Sequence, residues 1–259
     1  MSTFTVDATQ TAGLAEIAAS LPLSLAPARE GAPELASVSG SAGWAGRAQA
    51  AFDGGALAAV VGSPATDDPE FPAGAESRLV LAWDFAANPG VLAAAEAAAP
   101  LRGRAVFAEA TLSVPSSTDL DAALLDALTA VVRVAGEVTP LRTLHRDAAG
   151  WHLAGDLAGP QGARAPLALA IVVTDAAPAA LRLRLLTDDG GLTAEVPSPD
   201  TAAPAGVRIV GPDGERLLPT LWETSRRASW RRAVAIAAGE ALSADVAELH
   251  RVAALTPIL

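Results

Sequence analysis

The first hundred residues alternate short, continuously apolar runs with alanine-rich stretches of helical period, and this narrows the possible folds more than any other feature. The apolar runs 3–6, 21–26, 35–38, 57–61 and 79–85 are strand candidates, and 12–20, 43–52 and 91–99 are helix candidates. Strands read as unbroken apolar runs when helices cover both sides of their sheet, so this half predicts a mostly parallel sheet under helices. Gly54 and Gly55 supply a helix stop after 43–52. The segment 66–75, rich in proline and acid, predicts a loop whose Asp67, Asp68 and Glu70 form a solvated acidic stretch.

Past residue 100 the period changes. Residues 104–114 read as one long extended run, and 119–135 as an amphipathic helix with Leu120, Leu124, Leu128 and Val131 on one face. Thr118 and Asp121 have the spacing of a capping box, with aspartate in place of the usual Glu or Gln. Strand candidates then follow at 138–146, 151–157, 165–173, 180–186, 192–196 and 207–210, and turn signals such as Asp188-Asp189-Gly190-Gly191 and Pro212-Asp213-Gly214 separate most of them. Helices close the chain at 225–238 and 244–254. A run of meandering strands predicts an antiparallel sheet. The expected fold class is therefore an α/β half over 1–100 followed by an α+β half over 101–259, with no internal repeat.

Composition removes whole classes of chemistry. The chain of 259 residues is 51% hydrophobic, which excludes disorder and is long enough to bury a substantial core. It has no cysteine, so disulfides, thiol catalysis and thiolate metal sites are out. All 18 basic residues are arginine, and without lysine there is no Schiff base, no P-loop lysine and no lysine general acid. A net charge of −11 argues against nucleic acid as a partner, because an acidic surface repels a polyanion. No apolar run reaches the roughly 18–20 residues that span a bilayer, and the first residues lack the charged start and apolar core of a signal peptide. The expected setting is soluble and cytoplasmic, with no membrane partner.

Few motifs carry chemistry. Gly40, Gly43 and Gly46 follow a strand and open a helix, but the spacing is not the G-x-G-x-x-G of a dinucleotide turn, and close helix–sheet packing accounts for them. His145, His152 and His250 have no carboxylate at metal-ligand spacing, so no metal is expected. Arg226, Arg227, Arg231 and Arg232 surround Trp230 and read as a solvated face paired with nearby acids. There is no G-x-S-x-G elbow.

Four segments, in order, carry a resemblance. Residues 52–65 (FDGGALAAVVGSPA) resemble the helix, glycine turn and strand that lead to Glu-Lys-Pro in the Gfo/Idh/MocA oxidoreductases. Residues 79–92 (LVLAWDFAANPGVL) resemble the next strand, with its Asn-Pro before a helix. Residues 124–138 (LLDALTAVVRVAGEV) are similar to the family's long helix ending in Gly-Glu, and 230–255 (WRRAVAIAAGEALSADVAELHRVAAL) to its two closing helices. The resemblance implies a Rossmann domain, a C-terminal domain with a large, open, mostly antiparallel sheet through which members pair, and NAD(P)-dependent chemistry at a sugar or cyclitol hydroxyl.

The departures shape the expectation. Glu-Lys-Pro stands here as Gly62-Ser63-Pro64, the N-terminal glycine fingerprint is missing, and the first domain is short by about one βα unit. On the long helix, alignment puts Asp126 at the family's first helix histidine and Thr129 at its catalytic aspartate or histidine. The resemblance thus implies Ser63 and Pro64 as cofactor-side positions; Asp84, Asp126 and His145 are candidate proton-transfer groups, which would be new solutions for the family, and Trp83, Asp84, Asp126 and Arg142 are candidate substrate contacts. Three readings stay open. The first is a non-catalytic subunit or regulator that binds no cofactor and associates, as a homo- or hetero-oligomer, through the C-terminal sheet, with a complete paralogue as one partner. The second is a divergent NAD(P)-dependent sugar dehydrogenase, and the third a sugar- or metabolite-binding module.

Overall fold

The structure is a computed structural model that describes residues 3–7, 14–28, 31–66 and 74–256. The expected acidic loop at Asp67, Asp68 and Glu70, the first two residues of the helix predicted over 12–20, and most of the turn before that helix lie outside the described residues. The chain divides into two compact units, Met1–Trp83 with Ser225–His250, and Asp84–Thr224 with Arg251–Leu259. The division therefore differs from the expected cut at residue 100. The chain returns to its first unit, because the apolar face of a late helix completes the first core.

In the first unit the elements are β1 (Phe4–Val6), α1 (Leu14–Ser20), β2 (Leu25–Pro27), β3 (Leu35–Ser39), α2 (Trp44–Asp53), β4 (Ala58–Gly62) and β5 (Leu79–Ala82). All strand pairs are parallel, in the order β2-β1-β3-β4-β5. β4 and β5 are buried along almost their whole length, as their unbroken apolar runs predicted. A six-stranded dinucleotide fold runs 3-2-1-4-5-6. Omitting the strand outside β2 leaves the order seen here, so the expected shortening by one βα unit is visible as a lost edge strand. The order reverses between β1 and β3, which makes their carboxyl ends the switch point where such sheets place ligands.

The missing cover comes from the distant helix α5 (Ser225–Ala237). Its Trp230, Ala233 and Ile236 are buried with Phe4, Val6, Leu14, Leu35, Val60 and Val80 in one core. The helix α6 (Asp245–Ala253) follows, and Asp245 ties the group together. Its carboxylate accepts from the backbone N–H of Leu81 (2.9 Å) and from both terminal nitrogens of Arg232 (2.6 and 3.0 Å). Of the arginine cluster, Arg232 is thus bound to a buried acid at the edge of the core rather than spread on a solvated face.

The second unit holds α3 (Pro89–Ala98), β6 (Ala105–Val114), α4 (Leu120–Ala135), and then β7 (Arg142–Asp147), β8 (Gly150–Ala158), β9 (Arg164–Val173), β10 (Ala180–Thr187), β11 (Gly190–Pro197), β12 (Gly206–Gly211) and β13 (Gly214–Leu217). They form one eight-stranded sheet, β13-β12-β11-β10-β6-β9-β8-β7, antiparallel except for the parallel pair β6–β9. That pair corrects the expectation of a simple meander, because β6 inserts between β10 and β9. The expected single strand over 138–146 is a lone bridge at Val138 followed by β7. β13, short and fully exposed, carries no apolar period and is absent from the sequence reading. At the start of α4 the cap is Asp119, whose carboxylate accepts from Asp121 N and Ala122 N, and not the Thr118–Asp121 box. Ionised aspartate is the stronger acceptor at a helix N-terminus.

α3 and α4 pack on each other and on one face of this sheet. Ala108, Ala110 and Leu112 of β6, Leu181, Leu183 and Leu185 of β10 and Leu192, Ala194 and Val196 of β11 are buried under them, while the alternate residues stay half or fully exposed. The sheet is therefore open on its other side, as expected. No helix among the described residues is long and apolar enough to cross a membrane.

Candidate functional site

At the switch point of the first unit the turns after β3 and β4 are stitched to each other. The Gly40 amide donates to Gly62 O (2.9 Å), the Ala65 amide donates to Gly40 O (2.7 Å), and the Trp44 indole donates to Ala65 O (3.1 Å). A Cβ on Gly40 would stand 2.1 Å from Gly62 O, so only glycine fits. Gly43 is the left-handed residue ahead of α2 (φ 77°), and Gly46 faces open space. The close helix–sheet packing expected for these three glycines is not what the structure shows: Gly40 is required by the approach of the turn after β4, Gly43 by its left-handed backbone, and Gly46 by neither. Ser63, expected on the cofactor side, is exposed and left-handed (φ 47°), and Pro64 beside it is buried.

Arg47 folds back from the first turn of α2. Its guanidinium donates to the carbonyls of Ser39 (3.0 Å), Ser41 (2.5 Å) and Ala42 (3.0 Å) and to Ser41 Oγ (2.9 Å). These acceptors are neutral, so a positive charge remains at the mouth of the switch point. Sequence reading missed this residue, since an arginine one turn into a helix carries no signal of its own.

In the second unit the residues after β5 form a tight turn leading to α3, and α4 holds it. Asn88 caps α3 by accepting from Gly90 N (2.8 Å), with Pro89 as the first helical residue. Asp126 of α4 is buried and accepts from the backbone N–H groups of Phe85 (3.0 Å) and Ala86 (2.7 Å). Arg133, two turns further along the same face, donates to Ala86 O (2.7 Å). Burial pushes the Asp126 carboxyl up to about 7 and the negative charge of Asp84 adds to the rise; the two backbone N–H bonds and Arg133 oppose it. Asp84 and Asp126 are thus brought close enough to repel, yet both oxygens of Asp126 are already occupied by backbone donors. Their seven-residue spacing puts Asp126 and Arg133 on one face of the helix.

The remaining candidates are placed elsewhere. Trp83, expected as a substrate contact, is 2% exposed and belongs to the core. Thr129 is buried, and its hydroxyl donates back to Leu125 O (2.7 Å) within α4. His145 lies on β7, the outermost strand on its side of the sheet, exposed and paired with Asp147 at 2.9 Å. That bond, first, holds the Asp147 carboxyl below the ordinary range. The His145 ring meets His152 edge to face at 6.2 Å. Arg142 is on the same edge strand, in a groove with Arg164. The structure therefore gathers Asp84 and Asp126 at one turn and puts His145 and Arg142 at the margin of the large sheet, with the strand β6 over α4 separated from that margin by β9 and β8. Among the described residues, no three His, Asp or Glu side chains gather to hold a metal ion.

Neither a family model nor a curated protein matches this chain by sequence. Solved structures do match in shape. An oxidoreductase from Sinorhizobium meliloti is 15% identical with a TM-score of 0.63, over 85% of this chain and 74% of that one. KijD10, a 3-ketoreductase from Actinomadura kijaniata solved with NADP, is 20% identical with a TM-score of 0.60, over the same shares of 85% and 74%. UDP-N-acetylglucosamine 3-dehydrogenase GnnA from Acidithiobacillus ferrooxidans is 16% identical with a TM-score of 0.58, over 98% of this chain and 96% of that one. Together with the parallel sheet and the larger, mostly antiparallel one, these likenesses give the chain the fold of these oxidoreductases, one of which was solved with NADP.

Proposed function

We propose that this chain is a non-catalytic relative of those oxidoreductases, a subunit or regulator that associates through the open face of its eight-stranded sheet. The observation that carries the reading is that face itself. Its middle strands present Thr111, Ala168, Ala170 and Val172, flanked by the cross-strand ion pairs Arg184–Glu109 (3.1 Å) and Arg182–Glu195 (3.6 Å). Small apolar side chains bounded by internally neutralised charges leave a flat surface that a second sheet can cover without stranding an ion. The occupant is a second copy or a complete, lysine-bearing relative.

Three further observations support the absence of hydride chemistry. Ser63 has no cation to offer where the resemblance implies lysine, and no lysine exists to replace it. Asp126, the buried carboxyl with the raised affinity for protons, is committed to Phe85 and Ala86. The lost strand outside β2 also removes backbone from the side of the sheet that supports the first half of a dinucleotide in the six-stranded order. These features support the reading that the chain binds no NAD(P).

Sedimentation across a range of concentrations, alone and with a complete relative from the same organism, tests the reading together with calorimetry against NADH and NADPH. Expected are a dimer or a mixed assembly that Ala170→Glu and Val172→Glu dissolve, and no cofactor heat at millimolar concentration. A monomer under every condition overturns the association. Micromolar NADPH binding favours a second reading, a divergent NAD(P)-dependent dehydrogenase of a sugar substrate. The near-complete overlap with GnnA supports that alternative, and Asp84, half exposed at its turn, is the group that would then take the proton.

A further inference from the structure

The margin of the large sheet carries a second feature that association does not explain. There the segment before β7, the middle of β8 and the start of β9 enclose a groove of about 590 Å³, within the size range of small-molecule sites. Thr139, Ala154 and Pro166 line it, and Arg142, Arg164 and Asp156 add their charges. In register Arg142 stands opposite Ala154, and Asp156 opposite Pro166.

The charge pattern in the groove is unlike the rest of the chain. Among the described residues, every arginine except Arg142 and Arg216 has an interaction partner. Arg164 is held only loosely, 3.5 Å from Asp156, with its own side chain 68% exposed. In a protein of net charge −11, acids to neutralise a free arginine are abundant, yet Arg142 faces a concavity shared with a second guanidinium. The local field is cationic inside a global field that repels anions. The Thr139 hydroxyl accepts from Asp156 N (3.0 Å), which leaves its proton free to donate.

From this arrangement we infer that the groove binds a sugar-sized phosphate ester. Paired guanidinium groups match phosphate oxygens in charge and geometry. The Thr139 hydroxyl is a further donor, Asp156 can accept from sugar hydroxyls, and the small Ala154 side chain with Pro166 admits the flat C–H face of a ring. The inference uses no residue of the switch point or of the Asp126 turn; the groove lies on the open face at its margin, where Ala154 stands opposite Ala168.

Calorimetry with glucose 6-phosphate, glucose and inorganic phosphate tests it, at low and high salt. The expected result is saturable, submillimolar binding of the ester, weaker binding of inorganic phosphate and none of glucose. Arg142→Gln and Arg164→Gln should each weaken the ester by about tenfold or more, the loss that follows when a charged hydrogen bond is removed. Arg216→Gln, which removes the other unpartnered arginine outside the groove, should leave binding unchanged, and circular dichroism of each variant should match the parent. Absence of saturable binding overturns the inference. So does an equal loss in Arg216→Gln, which would reveal a general charge effect, and equal affinity for inorganic phosphate removes the ester assignment.

Discussion

Asp126 offers the sharpest quantitative test of the structure. A carboxyl raised from 3.8 to about 7 holds its proton more tightly in the native protein than in the unfolded chain. Its contribution to stability is then fully present below the unfolded value and is lost as pH rises through the folded value. The complete swing is about 4 kcal/mol. About 2 kcal/mol of it falls between pH 5.5 and 8.5, a window clear of the isoelectric point near 4.7, where solubility is lowest. Asp126→Asn removes the titration. Its amide oxygen can still accept from Ala86 N at the 2.7 Å position, but its NH2 then faces the Phe85 N–H, and an unpaired buried donor costs about 1–3 kcal/mol at every pH. Urea denaturation of both proteins, read by tryptophan fluorescence at several pH values, isolates the effect as a difference. The parent should lead at pH 5.5 and lose about 2 kcal/mol of that lead by pH 8.5. Asp84 and Arg133, the charged groups facing this carboxyl, are unchanged in the comparison. A difference that stays constant across the window would refute the buried, titrating carboxyl and with it the account of how α4 holds the turn at 85–86.

Other perturbations follow from the same geometry. Gly40→Ala should destabilise by several kcal/mol, roughly 3 or more, because the new Cβ meets backbone 2.1 Å away, whereas Gly46→Ala, with open space around it, should stabilise α2 by up to about 1 kcal/mol; thermal melts of both variants check this. Asp245→Ala leaves Arg232 and the Leu81 N–H without their partner and should cost about 2–4 kcal/mol in chemical denaturation. Ser63→Gly relieves a left-handed non-glycine residue and should raise stability by about 1 kcal/mol, an effect calorimetric melting would resolve. If Ser63 instead becomes less stable as glycine, its side chain is anchoring the β4 exit rather than straining it.

Which parts of this were legible beforehand follows from range. The parallel strands β3, β4 and β5 announced themselves because burial on both faces demands unbroken apolar runs, and α4 because one face of a helix repeats every three to four residues. Asn88-Pro89 and Gly136, which entered through the resembling segments, do stand at helix ends, with Asn88 capping α3 and Gly136 closing α4. Misreadings had equally local causes. Thr118 and Asp121 matched a spacing, but Asp119 was the better acceptor one position away. Trp83, a candidate substrate contact beside Asp84, is 2% exposed, and nothing in its sequence neighbours signals that burial.

The candidate site depended still more on distance along the chain. That Asp126 meets residues 40 positions earlier, that Arg232 and Asp245 clamp β5, and that Arg142 and Arg164 share a groove are long-range facts. The sequence by itself determined the chemistry available: arginine as the sole strong cation, no thiol, no lysine, a serine where the resemblance implies lysine, and a first domain too short for six strands. Those are properties of composition and order, and folding cannot change them. Only the tertiary structure decided how each group is spent, because a side chain's charge state and partners are set by burial and by contacts closed over tens of residues. It committed Asp126 to a backbone turn and, among the described residues, left one face of the large sheet bare and Arg142 without a partner.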